Sequence, residues 1–183
     1  MLMQRQKAGL LVVDIQDKLL PAVHDAPGLL ARSRWLVGVA RDHGLPIVFS
    51  EQYPRGLGGT VPALRASAPE AQVVDKLHFS CVAADCLPPA LLEKEQIIVC
   101  GMEAHVCVLQ TVMALLAIGK QVFVVADAVS SRQPADIELA VARMRAAGAV
   151  IVSREMVLFE LLEKSGGEHF KQMSQRYLIG DQP

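Results

Sequence analysis

Apolar residues in this chain gather in six short runs that predict six β-strands. The runs are rich in Val, Ile, Leu and Phe, and several are continuous instead of alternating with polar residues. A continuous run is typical of a strand covered on both faces, as strands of a parallel sheet are. The six predicted strands span 9–15, 46–50, 72–76, 96–101, 121–127 and 149–153.

Segments with helical patterning lie between these strands. Gly44 closes the first of them and Gly148 the last, which suits the left-handed residue that often follows a helix. Strand and helix thus alternate, and right-handed crossovers would put all six strands in one parallel sheet with helices on both faces. We therefore expect a three-layer α/β/α, Rossmann-like fold. The predicted helices span 28–44, 88–95, 103–119 and 133–148.

Two segments outside this alternation bear on function. The irregular segment 50–72 is rich in Gly, Pro and Ser and predicts a loop with one short helix near 61–66. It leaves the carboxyl end of the second strand, where open α/β sheets bind ligands. Near the C-terminus, an apolar helix face fits either the core or a subunit interface. Its residues are Val157, Leu158, Leu161 and Leu162.

Composition and charge narrow the class of protein. Of the 183 residues, 52% are apolar, which suffices for one large core and predicts a single domain over 1–183. The formal net charge of −1 has both signs dispersed, so we expect neither nucleic acid nor a membrane as partner. The four cysteines show neither a C-x-x-C pair nor a zinc-ligand spacing, and a chain of this size needs no disulfides for stability. No apolar run approaches the roughly 20 residues of a membrane span. These features predict a cytoplasmic protein.

Three residues near the ends of predicted strands have side chains suited to catalysis. Asp14 ends the first strand, and it fits equally an exposed helix cap or a catalytic acid or base. Lys76 ends the third strand, where a solvated terminus is the simpler interpretation. Cys107 comes after the fourth strand, in the first turn of the next helix, where the helix N-terminus favours a thiolate. A free cysteine is nonetheless more often a small buried apolar residue.

The three residues together suggest more than each does alone. Parallel strands end at the same edge of a sheet, so a carboxylate, an ammonium and a thiol would meet there. If the strands are neighbours, the Lys76 ammonium would face Asp14 and lower the pKa of the thiol. A base, an electrostatic stabiliser and a nucleophile are the parts of covalent catalysis. The residues alone thus favour Cys107 as a nucleophile.

Long motifs in matching order give the chain a resemblance to a known family. The first strand and the residues directly after it read LLVVDIQDKLLPAV, the loop SEQYPRGLGGTVP, and the end of the third strand KLHFSC. The turn that carries the cysteine reads GMEAHVCVLQT, and VADAVSSR lies further along the chain. These motifs resemble the isochorismatase-like cysteine hydrolases, and most of all the isochorismatase domain-containing proteins. The resemblance covers nearly the whole chain and implies the hydrolase fold of that family.

The resemblance implies a catalytic triad of Asp14, Lys76 and Cys107. In that family Asp14 would take the thiol proton, Lys76 would hold carboxylate and thiolate in register, and the thiolate would form a thioester with a small amide. The backbone N–H groups of Glu103 and Cys107 would form the oxyanion hole, beside a cis peptide between Met102 and Glu103. Such a hole stabilises the negative charge of the transition state.

Further residues are expected near the substrate, although each also fits simple packing or a solvated position. They are Gln16, Gln52, Tyr53, His78, Phe79 and His105. Nicotinamidases of the family bind a metal through an Asp and two His past the second strand, whereas EQYPRGLGGT contains no His. We therefore expect no metal and no cofactor, which weakens the case for nicotinamide as substrate.

Two other functions stay open beside amide hydrolysis. The fold could serve as an oligomeric binding or scaffold protein that no longer turns over a substrate. Alternatively, the chain could hydrolyse a vinyl ether such as isochorismate, a reaction that does not need the thiol. The expected partners are a small-molecule substrate and, by the resemblance, further copies of the chain in a homo-oligomer.

Overall fold

The structure is a computed structural model that describes residues 1–179. Residues 180–183 of the predicted domain lie outside the described residues. All six predicted strands are present, with bounds that differ from the predicted ones by three residues at most. The strands are β1 (Ala8–Val13), β2 (Ile47–Gln52), β3 (Gln72–Lys76), β4 (Gln96–Met102), β5 (Gln121–Ser130) and β6 (Val150–Val152).

The helices confirm the predicted alternation of strand and helix. One short helix after β2 was not expected, and a proline at its first position starts it. Between β4 and the fifth helix, residues Ala104–Val108 form a π-helical turn. The α-helices are α1 (Ala26–Asp42), α2 (Pro54–Leu57), α3 (Pro62–Arg65), α4 (Pro89–Leu92), α5 (Leu109–Ala117), α6 (Pro134–Ala146), α7 (Arg154–Leu162) and α8 (Gly167–Ser174). Short turns of other helix types span Leu20–Ala22 and Gln175–Ile179.

The strands form one sheet in the order β3-β2-β1-β4-β5-β6, with every neighbouring pair parallel. The chain builds outward from β1 to β3 and then returns to place β4 on the other side of β1. The strand order therefore reverses between β1 and β4, and crevices for ligands open at the carboxyl ends of strands at such a point. The predicted three-layer α/β/α fold is confirmed.

Alternate residues of the central strands supply two separate cores. In β1, Leu10 and Val12 face the core under α1 and α7, whereas Leu11 and Val13 face the core under α4, α5 and α6. All six residues of β1 are buried, which explains why its sequence is continuously apolar. The apolar face of α7 belongs to the first core and not to an exposed interface. Its residues Val157, Leu158, Leu161 and Leu162 are all buried.

No helix among residues 1–179 is long and apolar enough to span a membrane.

Gly101 lies near the carboxyl ends of β4 and β1, and it lets the two strands pass close to each other. Its φ of +126° lies in a region that residues with a side chain rarely adopt. At this point β4 also changes its register against β5, between Val99 and Gly101. A Cβ atom added at Gly101 would lie 2.1 Å from the Val13 carbonyl oxygen. Only glycine fits there, since the neighbouring atom is backbone and cannot turn away.

Gly101→Ala is expected to lower the free energy of unfolding by about 3 kcal/mol or more, because the methyl group overlaps the β1 backbone. Urea unfolding followed by circular dichroism measures the change. Gly119→Ala is the matched control, since Gly119 also has a positive φ (+81°) but nothing lies within 4 Å of an added Cβ. The control should lose only about 1–2 kcal/mol of unfolding free energy. Equal losses of unfolding free energy in both variants would contradict the overlap.

His43 ends α1 as a buried, neutral side chain. Its Nδ1 lies 2.8 Å from the Val39 carbonyl oxygen, and its ring meets the His169 ring edge-on at 5.1 Å. Burial lowers the pKa of His43, and the nearby side chains of His169 and Arg5 lower it further, while its hydrogen bond to Val39 and the charge of Asp42 act in the opposite direction. Below about pH 6.5 the unfolded histidine takes up a proton that the folded one resists.

The free energy of unfolding should therefore fall as the pH drops from 7.5 to 5.5. The fall should be shallower in His43→Gln, whose amide can still donate to the Val39 carbonyl. His24→Gln, which changes an exposed histidine, is the control and should keep the wild-type slope. Identical slopes in wild type and His43→Gln, measured by urea titration at each pH, would refute this assignment.

Candidate active site

Asp14 lies directly past β1 with its carboxylate held from two sides. Its backbone adopts the left-handed conformation (φ 53°), which aspartate tolerates better than most residues. Its Oδ1 accepts a hydrogen bond from the Ser50 hydroxyl at 2.7 Å, and its Oδ2 accepts one from the Lys76 ammonium at 2.7 Å. Asp14 is only 1% exposed, so the exposed helix cap considered from sequence is wrong.

Lys76 reaches Asp14 from the edge strand β3, across the width of β2. Its side chain is fully buried, and besides Asp14 it donates to the Gln52 side-chain oxygen at 2.8 Å. Burial lowers the pKa of Lys76, but the charge of Asp14, its hydrogen bond and the nearby cysteine sulfurs together outweigh burial, so the pKa rises above its usual value. The lysine is therefore a permanent cation, and not the solvated strand terminus that its position alone favoured.

Cys107 completes the cluster from the π-helical turn after β4. The charges of Asp14 and Lys76 both act on its thiol. Lys76 lowers the pKa of Cys107, as expected from the sequence. Burial and the negative charge of Asp14 raise this pKa by more, so its net shift is upward. At rest the site holds a neutral thiol beside a carboxylate.

Gln16 and Gln52 support the site and are already satisfied by contacts within the chain. The Gln16 amide bonds to the Gln52 N–H at 2.7 Å, the Gln52 carbonyl at 3.0 Å and the Gly58 carbonyl at 2.6 Å. The Gln52 side chain accepts from Lys76 and donates to the Leu77 carbonyl at 2.8 Å. These contacts position Lys76 and the loop after β2, and a contact of either glutamine with substrate stays a prediction.

Ser50 is a functional residue that the sequence interpretation missed. It lies in β2 between the strands that carry Asp14 and Lys76, and it is 1% exposed. Its hydroxyl donates to Asp14, and its carbonyl accepts from the Asp14 N–H at 3.0 Å. The polar residue in the otherwise apolar run PIVFS could have indicated this role, because a buried hydroxyl needs a hydrogen-bond partner.

Glu103 points its side chain away from the triad, toward the end of β5. Its Oε1 accepts from Arg132 Nε at 2.8 Å, and His105 Nδ1 lies 2.9 Å from the Ser131 hydroxyl oxygen. These contacts hold the turn that carries Cys107 against the neighbouring loop. The Met102–Glu103 peptide was expected to be cis, and this is wrong, since residues 1–179 contain no cis bond. Glu103 enters the turn with extended-type backbone (φ −54°, ψ 108°), so an ordinary trans bond joins strand and turn.

The remaining predicted pocket residues lie at the surface around the site. Tyr53, directly after β2, is 50% exposed, and Phe79, three residues after β3, is 49% exposed. His78, directly before Phe79 in the sequence, is exposed as well. Their proximity to substrate remains a prediction. Within residues 1–179, no group of three or more His, Cys, Asp or Glu side chains is arranged to hold a metal ion.

A buried carboxylate, ammonium and thiol thus lie near the switch point of a parallel α/β sheet. Comparison with known proteins identifies the class as a hydrolase family, the isochorismatases. The family model described as the isochorismatase domain matches residues 8–156. The chain is 37% identical over 167 residues to mouse isochorismatase domain-containing protein 2A, covering 90% of this chain and 79% of that protein. The chain therefore belongs to the isochorismatase family, as its motifs indicated.

Solved structures agree with this assignment. MAR1 ribonuclease from Caenorhabditis elegans superposes with a TM-score of 0.91 at 36% identity, covering 100% of this chain and 95% of that one. YcaC from Pseudomonas aeruginosa with hexane-2,5-diol and covalent acrylamide has a TM-score of 0.85 at 27% identity, covering 97% and 92%. The octameric YcaC hydrolase from Escherichia coli shares the fold, with a TM-score of 0.86 at 23% identity over 97% and 91%.

The buried ion pair should make a large and non-additive contribution to stability. Lys76→Met leaves the Asp14 carboxylate without its counter-ion, and Asp14→Asn leaves the Lys76 ammonium unpaired. Each single change is expected to cost about 3–5 kcal/mol of unfolding free energy, because an unpaired charge stays buried. The double variant should cost clearly less than the two single costs added together. A urea-unfolding double-mutant cycle measures this, and strict additivity would contradict a direct pairing.

Proposed function

We propose that this chain is a metal-independent cysteine hydrolase that cleaves a small amide through a thioester on Cys107. Its membership of the isochorismatase family supports the hydrolase class. One observation carries the finer proposal. The buried Asp14–Lys76 ion pair acts electrostatically on the Cys107 thiol, which follows β4, the strand next to β1.

Asp14 is the base that activates the nucleophile. Because the pKa of Cys107 is raised by burial and by Asp14, the thiol proton leaves only when the carbonyl carbon of a substrate is in place to accept the sulfur. The proton then passes to Asp14 as the carbon–sulfur bond forms. General-base assistance of this kind contributes about 10²–10⁴-fold to a rate.

Lys76 and Ser50 hold the Asp14 carboxylate in position while its charge changes. Both donate to it, at 2.7 Å each. When Asp14 carries the proton, the Lys76 ammonium faces a neutral acid and a negative tetrahedral intermediate, which it stabilises through space. The backbone N–H groups of Glu103 and Cys107 are the proposed donors to the intermediate oxygen.

The second half of the reaction returns every group to its starting state. Asp14 gives its proton to the departing amine, the carbon–nitrogen bond breaks, and the thioester remains on Cys107. Water then attacks the thioester carbonyl with Asp14 as base, the carbon–sulfur bond breaks, and the sulfur recovers a proton as the acid leaves. Covalent acrylamide in the YcaC structure is consistent with a nucleophile on this fold that reacts with a small amide-bearing compound.

Assembly and location are parts of the same proposal. Three large apolar side chains beside the site are exposed in a single chain, at 50% for Tyr53, 74% for Leu77 and 49% for Phe79. Exposed apolar surface of this kind marks an interaction site, and the related fold of YcaC occurs in an octameric hydrolase. We infer that further copies of the chain cover this surface, and that the enzyme works in the cytoplasm, where its free thiols stay reduced.

Two variants separate the proposed roles of Cys107 and Asp14. Cys107→Ala should abolish hydrolysis across a panel of small primary amides and esters. Asp14→Asn should lower hydrolysis by about 10²-fold or more, yet Cys107 should react faster with iodoacetamide near neutral pH, because the charge that raises its pKa is gone. Ammonia release and mass-spectrometric labelling rates measure the two effects.

The same panel supplies the control and tests the alternatives. Cys100→Ala alters a fully buried thiol in β4 and should leave hydrolysis nearly unchanged. Equal behaviour of wild type and Cys107→Ala on every compound would favour the scaffold function. Turnover of isochorismate that survives Cys107→Ala would favour vinyl-ether hydrolysis. RNA belongs in the panel as well, because a related structure is that of a ribonuclease.

A further inference from the structure

A single helical turn after β3 brings two cysteines together. Ser80 caps the turn, since its hydroxyl accepts from the Ala83 N–H at 3.2 Å. At its other end the Cys86 N–H donates to the Cys81 carbonyl at 3.4 Å, and the Asp85 N–H donates to the Val82 carbonyl at 3.0 Å. Asp85 takes the left-handed conformation (φ 51°). These are the two hydrogen bonds and the left-handed residue of a Schellman motif.

In a Schellman motif the side chains of the first and last residues of the bonded turn frequently pack together. Here those residues are Cys81 and Cys86. The Cys86 sulfur also donates to the Cys81 carbonyl at 3.4 Å. Cys81 is fully buried, whereas Cys86 is partly exposed, so one thiol of the pair can be reached from solvent.

The pair touches the proposed catalytic centre through its buried member. Cys81 is within hydrogen-bonding range of Ser50 and is acted on by the charge of Lys76, and these are the two residues that hold Asp14. Its N–H donates to the Thr111 hydroxyl in α5 at 3.1 Å. The hydrogen bond from Cys86 and the charge of Lys76 lower the pKa of Cys81 to about 7, although burial acts against them.

We propose that Cys81 and Cys86 form a reversible disulfide on exposure to peroxide. The bond forms within one short turn, so the two sulfurs need little backbone movement to join. Neither thiol takes part in the proposed hydrolysis.

The chemistry balances with a hydroperoxide as the oxidant. The Cys86 sulfur attacks one peroxide oxygen, the O–O bond breaks, and the thiol proton leaves with the other oxygen as an alcohol, or as water from hydrogen peroxide. The resulting sulfenic acid is attacked by the Cys81 sulfur. The S–O bond breaks, the S–S bond forms, and the Cys81 proton leaves with the hydroxyl group as water. Two electrons pass from the sulfurs to the peroxide, and a dithiol reductant reverses the change.

Disulfide formation can be tested by mass spectrometry on the full chain. Trypsin cuts after Lys76 and Lys94, so peptide 77–94 contains both cysteines. After treatment with hydrogen peroxide, this peptide should lose the mass of two hydrogen atoms and take up no alkylating reagent until it is reduced. Cys86→Ser should prevent the change. Cys107→Ser should retain it, which separates this bond from one between Cys81 and Cys107.

Two outcomes would overturn the proposal. One is a peptide 77–94 that keeps two alkylatable thiols at peroxide levels sufficient to oxidise Cys107. The other is a cross-link between that peptide and Cys107 in place of the internal bond.

These measurements do not depend on amide hydrolysis. A chain that forms the disulfide without hydrolysing any amide would retain this inference and lose the proposed function. A chain that hydrolyses an amide without forming the disulfide would retain the proposed function and lose this inference. Asp85→Gly provides a further check, because glycine suits the left-handed position and should preserve the disulfide, whereas the β-branched side chain of Asp85→Val should slow its formation.

Discussion

The buried ion pair between Lys76 and Asp14 joins two strands that are not neighbours. Lys76 comes from the edge strand β3 and Asp14 from the central strand β1, and the side chain crosses β2 between them. Removing two charges from water is costly, so such a pair persists only with good geometry and further hydrogen bonds. Ser50 and Gln52 supply those bonds from β2. The register of three strands is thus a precondition for the site.

In the proposed mechanism, the negative charge of Asp14 both supplies the base and keeps the resting site unreactive. Asp14 must be negative to accept a proton, and that negative charge together with burial keeps Cys107 protonated. A thiolate stored in advance would react with any electrophile that reached it. Holding the proton between sulfur and carboxylate until a substrate arrives restricts reaction to molecules that fit the site. This compromise explains why a buried ammonium nearby does not produce a free thiolate.

The fold was predictable from sequence because its causes are local and repeated. Continuous apolar runs marked the strands, and glycines such as Gly44 and Gly148, both with positive φ, marked helix ends. Asp14, Lys76 and Cys107 were identifiable because polar groups at the ends of apolar strands are conspicuous. Strand order was not predictable, so the reach of Lys76 across β2 and the part played by Ser50 came only from the structure. The net pKa of Cys107 likewise depends on burial and distances that a sequence does not contain.

The position of Lys76 on an edge strand has a consequence for how activity responds to stress. Strand β3 has a neighbour on one side only, and Gln72, Val73 and Asp75 within it are exposed. Segments of this kind open locally at a lower free energy than the whole domain unfolds. Each opening of β3 would carry Lys76 away from Asp14 while the other five strands stay folded. The fraction of molecules with an intact site would then depend on the local opening of β3. On heating, activity would be lost at a lower temperature than that at which the domain unfolds.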